Sequence, residues 1–577
     1  MKQPVDVGAE LEKNAADVSQ ARSENKAALE AVLEELIALI RQVDPLELMG
    51  HAEMLVEFWS ADEPDLLADL REGPTLYVLS GLCLHYGELG TKAPTLKELW
   101  RAFELSQEYV DRYSTQLLLD RIAAGAADDE EAPFLARLQT LIRATNPNTY
   151  EFQLDQLLQE VFVPFDDYFV GEFGFSASDA IKIGQEIIAL YEKRLHSRSE
   201  DAREAQNFLK ETLVDHESAL AKAATATGLT DAQVIERYNA VLSLTNLTNI
   251  FAFTPEDLAS GEINIDQVRA FLAAVQCVIP CNESFDAPIA DNIVSTNPIV
   301  ALPDGRYFAP IPTYLRNRMP DVLEALIRGR GPAKTVERYL KNRGKFAEDL
   351  IEVDLLKLFP RKSVFRNLYY SYQGQRVELD FLVLYDDKAV IVESKAGHFT
   401  APARRGAKER LATDLRKLIE AAHEQGVRTR SFITSEKSVR FQNEKGQTVL
   451  QIKRQDISRL FLVSVTLEPL MHFNTDVRKL RSLGLFKQGE VPWSVHLFEF
   501  DVITSHIGTA EVFLHYVSRR TAAQEEGVLQ GIDELSFFGY YLAKGNFIVP
   551  RTDDDRRPTM IHLQPDWSAA FDDEYVR

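Results

Sequence analysis

Two carboxylates and a lysine between residues 376 and 397 are spaced so that they could meet on one side of a β-hairpin. This segment holds two runs rich in Val, Ile, Leu and Tyr, separated by an Asp-Asp dipeptide that predicts a turn. If that dipeptide alone forms the loop, Asp380 lies opposite Glu393, and directly opposed Cβ atoms are about 4.5–5.5 Å apart. Lys395 points to the same side as Glu393 because strand side chains alternate. Two carboxylates at that spacing can share one divalent cation.

The rest of the predicted hairpin is apolar on both faces, which is typical of a strand pair inside a covered sheet. Alternation also places Glu378 on the face of Asp380, as an accessory acid. Carboxylates this close raise one another's pKa unless a cation neutralises them. The alternative is an exposed ladder of salt bridges at a sheet edge, since structural ion-pair networks have the same composition.

Amphipathic helices are predicted on both sides of the hairpin. Before it, residues 343 to 359 carry apolar side chains at helical spacing, and Glu348 flanks that stripe. After it, residues 408 to 425 have the same pattern, and Gly426 is expected to end the helix. Two strand candidates follow: 431 to 434 and 459 to 467.

This order of elements, with Asp380, Glu393 and Lys395, resembles the PD-(D/E)xK, or restriction-endonuclease-like, nuclease superfamily and its nuclease-related branch. Asp380 matches the family's first metal-binding Asp, and Glu393 with Lys395 matches its (D/E)xK. The family's Pro before the Asp is absent, because position 379 is Leu. The resemblance covers about residues 336 to 470 and implies an α/β core with a mixed sheet flanked by helices.

The resemblance also implies a Mg²⁺ (or Mn²⁺) cofactor and hydrolysis of phosphodiester bonds. The two hairpin carboxylates would hold the metal with the backbone carbonyl of Ser394, and Glu348 would complete the coordination directly or through water. Lys395 would orient or help to deprotonate the attacking water. Gln425, near the end of the second helix, matches an accessory Gln of related nucleases. Relatives of this core mostly cut DNA, so the resemblance favours DNA over RNA, in restriction or anti-phage defence.

Charge is unevenly distributed along the chain. The whole chain has 64 basic and 88 acidic residues and a net charge of −24, but residues 313 to 460 hold 30 basic and 19 acidic residues. This segment contains a basic run from Arg316 to Lys345 that includes Arg343, and it predicts a positive groove that binds nucleic acid through its phosphates. The alternative is that the basic surface docks on the acidic remainder of the same protein.

Length and pattern predict a multidomain α plus α/β protein. Its expected regions are a mostly helical region at 1–290, a β-hairpin and connecting helix at 291–335, the nuclease-like core at 336–470, and a small α/β region at 471–577. A helix at 133–144 belongs to the first region, and the second contains a hairpin with Asp304-Gly305 in its turn.

The remaining composition narrows the class of protein. No apolar run is long enough for a membrane span, no secretory signal is visible at the start, and three cysteines in 577 residues indicate a reducing, cytoplasmic environment. We therefore expect a Mg²⁺-dependent nuclease without a membrane partner, whose helical region recruits a protein partner. The competing interpretation is a catalytically silent, nuclease-derived scaffold or nucleic-acid-binding protein.

Overall fold

A computed structural model describes most of the chain. The described residues are 15–59, 74–123, 149–212, 248–281 except 260 and 262, 292–404, 407–486, 490–547 except 528 and 532, 561–563 and 567–575. The helix predicted at 133–144 lies outside these residues. The chain divides into two compact units, and each is described by itself. The N-terminal unit comprises Ser23–Tyr113 and Phe162–Arg330, and the C-terminal unit comprises Met1–Arg22, Ser114–Val161 and Gly331–Arg577.

The first part of the chain, up to residue 330, is mainly helical, which confirms the helical region predicted at 1–290 for the residues that the structure describes. Its helices are α1 (Ala15–Ile40), α2 (Pro45–Trp59), α3 (Pro74–Tyr86), α4 (Leu96–Arg121), α5 (Glu151–Leu157), α6 (Asp166–Phe173), α7 (Ala177–Thr212), α8 (Thr248–Phe251), α9 (Pro255–Leu258), α10 (Ile265–Val275) and α11 (Pro312–Arg330). Four short strands form one sheet in the order β1-β4-β3-β2: β1 (Ala252–Phe253), β2 (Gln276–Cys277), β3 (Ile299–Ala301) and β4 (Tyr307–Phe308). The β3–β4 pair is the predicted hairpin, and Gly305 takes the positive φ of 86° that its turn requires.

The rest of the chain mixes helices and strands. The helices are α12 (Ala333–Leu358), α13 (Ala401–Arg404), α14 (Lys408–Leu415), α15 (Ala421–Ser435), α16 (His472–Thr475), α17 (Leu497–His506), α18 (Ala510–Glu526), α19 (Glu534–Lys544) and α20 (Ala569–Tyr575). The strands are β5 (Val364–Tyr372), β6 (Gln375–Tyr385), β7 (Lys388–Lys395), β8 (Ser438–Gln442), β9 (Thr448–Lys453), β10 (Arg459–Thr466), β11 (Trp493–His496), β12 (Leu529–Gln530) and β13 (Ile561–His562). The four-region division expected from the sequence stays a prediction.

A seven-stranded mixed sheet organises the C-terminal unit, in the order β11-β10-β7-β6-β5-β8-β9. Strands β7, β10 and β11 run parallel to one another. In the rest of the sheet each neighbouring pair is antiparallel: β7 with β6, β6 with β5, β5 with β8, and β8 with β9. Strand β7 lies inside the sheet, between β10 and β6, and its residues from Ala389 to Glu393 are buried. The apolar composition of this strand on both faces explains its interior position, because only a covered strand buries both faces.

The β6–β7 hairpin has the predicted register. Tyr385 pairs with Lys388, so the loop consists of Asp386 and Asp387 alone, and Phe381 pairs with Val392 at the far end of the ladder. Asp386 has a φ of 50°, a conformation that Asp adopts more readily than most residues because its short side chain can hydrogen-bond locally.

The helix after the hairpin differs from the prediction. It does not end at Gly426, because α14 continues through a π-helical turn (Arg416–Glu420) into α15, which ends at Ser435. The predicted strand at 431 to 434 is therefore wrong. Gly426 serves instead as a packing position: a Cβ there would lie 3.4 Å from Leu462 Cδ2 and 3.7 Å from Ile391 Cγ2. At this glycine the helix therefore packs on β10 and β7 at ordinary contact distance.

The described helices include none that is both long and apolar enough to cross a membrane.

Candidate functional site

The central sheet opens at one end, between β6 and β7. Their pairing stops at Phe381 and Val392, but β6 stays paired with β5 as far as Gln375, and β7 stays paired with β10 as far as Lys395. The two strands therefore diverge while each keeps its other neighbour. The next position of the hairpin register holds Asp380 and Glu393, so the predicted acidic pair lies at the mouth of this opening.

Asp380, Glu393 and Lys395 are together called the hairpin site. The backbone N–H of Ser394 donates a hydrogen bond of 2.8 Å to Asp380 Oδ2, which replaces the backbone bond lost where the strands diverge. Glu393 is only 1% exposed, and its carboxyl group lies within hydrogen-bonding reach of that of Asp380. The carbonyl of Ser394 as a metal ligand stays a prediction.

One oxygen of this pair has no partner. Glu393 Oε1 is buried and accepts no hydrogen bond from the described residues. A buried acceptor without a donor costs about 1–3 kcal/mol, and more when it is charged. The site is therefore electrostatically incomplete in the absence of a cation.

Burial is the main cause of the raised pKa values of both carboxyl groups. Burial raises the pKa of Glu393 well above its usual range, and the neighbouring charge of Asp380 raises it further. The pKa of Asp380 is also raised, first by burial, against the lowering effects of Lys395 and of the Ser394 N–H group. A divalent cation would remove the reason for both shifts, because it stabilises the ionised carboxylates.

Lys395 is held by the second helix. Its ammonium group donates a hydrogen bond of 2.6 Å to Gln425 Oε1 on α15, so the predicted accessory Gln does lie beside the site. Within the described part of the chain, Lys395 forms no ion pair with a carboxylate, although its charge lowers the pKa values of both acids. The lysine is thus oriented by a neutral partner and does not neutralise the acidic pair.

Glu348 on α12 is near the site but already engaged. Arg366 on β5 donates a 2.8 Å bond to Glu348 Oε2, and its other terminal nitrogen bonds Asp349 at 2.6 Å and Glu352 at 3.0 Å. Burial raises the pKa of Glu348 in spite of Arg366, and the charge of Asp380 contributes to the rise. The sequence analysis missed Arg366. Three acids on one stretch of an amphipathic helix signal that a cation is needed, but not which one.

Glu378 lies near the acids of the site: after burial, which is the main cause, its charge raises the pKa values of both Asp380 and Glu348. Leu379 lies in the same apolar cluster as Leu382, so strict alternation is interrupted between these two leucines, and a shared face for Glu378 and Asp380 stays a prediction. Asn367 on the paired strand has a φ of 53°, which marks the irregularity at the same level of the sheet. Glu378 is exposed and accepts a 2.6 Å hydrogen bond from the hydroxyl of Tyr369.

One member of the predicted basic groove is not on the surface. Arg343 is buried and forms an ion pair of 3.2 Å with the equally buried Glu468, so it does not contribute to a binding surface. The rest of the run from Arg316 to Lys345 is divided between the two units at residue 330. The groove stays a prediction.

The residues present fit a magnesium-type site with few protein ligands. The described residues contain no cluster of three or more His, Cys, Asp or Glu side chains arranged for a metal ion. Mg²⁺, however, is commonly held by one or two carboxylates with retained waters and substrate phosphates. Asp380 and Glu393 supply two carboxylates, and a bound cation would be the partner that Glu393 Oε1 lacks among the described residues. Glu348 could contribute only by sharing its carboxylate with Arg366.

Chemically, the hairpin site combines a pair of acids that could hold a divalent cation with a positioned ammonium group at the open end of a sheet. Comparisons with protein-family models, with curated proteins and with solved structures find no match to this chain.

Proposed function

We propose that the chain is a Mg²⁺- or Mn²⁺-dependent nuclease of the PD-(D/E)xK type that hydrolyses phosphodiester bonds, with DNA preferred to RNA. The observation that carries the proposal is the hairpin site: a buried carboxylate oxygen without a partner, a second carboxylate beside it, and a lysine turned to Gln425. A purely structural acid–lysine group would instead be expected to pair internally.

In the proposed reaction, water attacks the phosphorus, the bond to the leaving oxygen breaks, and the proton lost by the water ends on solvent or on that oxygen. The divalent cation, when bound, would activate the water and offset the negative charge on the phosphate. Asp380 and Glu393 would hold the cation. Lys395, whose charge is fixed beside them by Gln425, would orient the water and stabilise charge that develops in the transition state.

A second function is supported by a different observation. Arg366 already pairs with Glu348, so of the three carboxylates predicted to bind the metal, Asp380 and Glu393 remain for it. This arrangement favours the catalytically silent scaffold, because a nuclease that needs three acidic ligands would lack one. The two proposals differ in whether a divalent cation binds and whether phosphodiester bonds are cut.

The test is a cleavage assay on the full chain with plasmid, linear and single-stranded DNA and with RNA, each in Mg²⁺, Mn²⁺ or EDTA. The nuclease proposal expects cleavage that requires the divalent ion and is lost in Asp380→Ala. The matched control is Asp387→Ala in the exposed turn of the same hairpin, which removes an equal charge away from the site and should cut like the wild type.

Calorimetric titration with Mn²⁺ separates the two proposals. Binding that Asp380→Ala abolishes, without cleavage of any of the four substrates, would favour the scaffold over the nuclease. Absence of both binding and cleavage would remove the metal-site assignment altogether.

A further inference from the structure

Helix α15 carries a second cation next to the hairpin site. Gln425, which holds Lys395, is followed three residues later by Arg428, and residues three apart lie on the same side of a helix. The helix is fixed in this orientation, because Gly426 packs against β7 and β10 and the hydroxyl of Thr429 lies 3.0 Å from that of buried Tyr370. Arg428 therefore lies within one helical turn of the group that orients Lys395.

Electrostatic effects on its neighbours agree with this location. The charge of Arg428 lowers the pKa values of both Glu393 and Tyr370, against the stronger effect of burial. Arg428 is nevertheless only half-buried, and none of the hydrogen bonds and ion pairs among the described residues uses its guanidinium group. Arg428 is close enough to affect the pKa values of the site, yet it forms no ion pair with the carboxylates of the site.

Other arginines of this unit behave differently. Arg366 binds three carboxylates of α12, and Arg430, two residues after Arg428 on the same helix, pairs with Glu490. Arg343 is buried against Glu468. Each of these arginines has an internal anionic partner, whereas none of the described residues pairs with the guanidinium group of Arg428.

We infer that Arg428 binds a phosphate group of the nucleic-acid substrate beside Lys395. The inference rests on the proposed nuclease function and adds a specific substrate contact to it. A guanidinium group donates two parallel hydrogen bonds to phosphate oxygens, a geometry that a lysine cannot reproduce. Once a divalent cation neutralises the two carboxylates, the positive field of Arg428 is available to the backbone of the substrate.

The test measures binding of fluorescent duplex and single-stranded DNA to the full chain in Ca²⁺, from about 50 to about 200 mM salt, where phosphate contacts determine how steeply affinity falls. Arg428→Ala is expected to weaken binding about tenfold at low salt and to reduce the slope of log affinity against log salt by about one unit. Arg428→Lys should keep the slope, because it keeps the charge, and lose part of the affinity.

Arg430→Ala is the matched control, since it removes one positive charge from the same helix at a residue that already has an anionic partner. Its slope should equal that of the wild type. An Arg428→Ala protein with the wild-type slope would overturn the inference and leave the nuclease proposal standing. A wild-type chain that binds neither DNA would overturn both, and a melting curve for each variant shows whether it is folded.

Discussion

Two regions of the C-terminal unit contain two acids and a lysine but arrange them differently. One is the hairpin site. The other, called the helix cluster, consists of Asp354 and Lys357 on α12 and Asp501 on α17. Lys357 bonds Asp354 at 2.7 Å and Asp501 at 2.6 Å, and it also reaches the hydroxyl of Ser505 at 3.0 Å. Gln153 donates a further 2.7 Å bond to Asp501. In the helix cluster the lysine pairs with both acids, although Asp354 Oδ2 has no partner among the described residues and burial keeps the pKa of Asp354 well above its usual range.

The two regions differ in the hydrogen-bond partners of the lysine. In the hairpin site the ammonium group is bound by a neutral amide, and the buried acids beside it lack an ion-pair partner among the described residues. In the helix cluster the ammonium group joins two helices by bridging their carboxylates. Two acids and a lysine do not by themselves distinguish a reactive site from a structural one. The hydrogen-bond partner of the lysine does, and four substitutions test this comparison.

The largest effect is expected for Lys395→Ala. Cleavage in Mg²⁺ should fall by at least about 100-fold, the usual size of a lost transition-state donor. The free energy of unfolding should fall by less than for Lys357→Ala, because Lys395 acts on the two acids through its charge alone and forms no ion pair with a carboxylate among the described residues. Cleavage rates and urea unfolding measure the two quantities. Lys388→Ala, at the other end of the same strand, is the control, and a fully active Lys395→Ala would show that the hairpin site is not the reactive one.

The opposite result is expected for Lys357→Ala. Its loss leaves Asp354, which is 0% exposed, beside Asp501 without a counter-charge. Removing one partner of a fully buried pair costs about 3–5 kcal/mol; we expect about 2–3 kcal/mol, because the side chain of Lys357 is 31% exposed. Urea unfolding measures the loss. Lys345→Ala, on the same helix with a 69% exposed side chain, should cost little, and equal costs for the two variants would contradict the comparison.

Glu393→Gln should stabilise the protein in EDTA by about 1 kcal/mol at a pH high enough to ionise Glu393, because it then removes a buried charge whose Oε1 has no hydrogen-bond partner among the described residues. The pKa of Glu393 is raised in the folded state, so the native protein binds this proton more tightly than the unfolded chain. Wild-type stability should therefore fall as pH rises from about 4.3, the ordinary glutamate value, through the folded pKa.

The variant should lack this part of the pH dependence, and Mg²⁺ should raise the melting temperature of the wild type only. Unfolding curves at several pH values, with and without the metal, provide the measurement. A variant less stable than the wild type in EDTA at a pH that ionises Glu393 would show that the Glu393 charge is already compensated.

Arg366→Ala has the smallest expected effect. It leaves Glu348, Asp349 and Glu352 without their shared cation, and we expect a loss of about 0.5–1 kcal/mol, since the arginine is 21% exposed and solvent screens part of the interaction. Arg361→Ala removes only the contact to Glu352 from a side chain that is 71% exposed, and should change stability by less than about 0.5 kcal/mol. Thermal melts of both variants decide whether Arg366 stabilises the acids of α12.

Sequence periodicity predicted the local features of this unit and missed those set by distant contacts. The register of the hairpin followed from its two-residue turn, and the helix around Glu348 followed from its apolar stripe. Gly426 was misread because a glycine after an amphipathic run predicts a helix end, whereas here it lies inside a helix that continues to Ser435 and faces the sheet. The interruption of the alternation between Leu379 and Leu382 was not predicted, because it coincides with a positive φ at Asn367 on the neighbouring strand.

The helix cluster could not be predicted at all. Asp354 and Lys357 are one helical turn apart, which any solvated helix surface offers, but Asp501 is 144 residues beyond Lys357. No local pattern links positions so far apart. The same reason explains why Arg366 was missed, since only the folded strand brings it to the acids of α12.

The hydrogen bond from the Ser394 amide to Asp380 gives the protein a built-in spectroscopic reporter. Most amide protons of a central strand are bonded to carbonyl groups, whose charge does not change with solution conditions. This proton is bonded to a carboxylate instead. Its NMR resonance would follow the ionisation of Asp380 and any cation that approaches that carboxylate. A single backbone signal would thus report the state of the opening in the sheet without a label, a substrate or a turnover event.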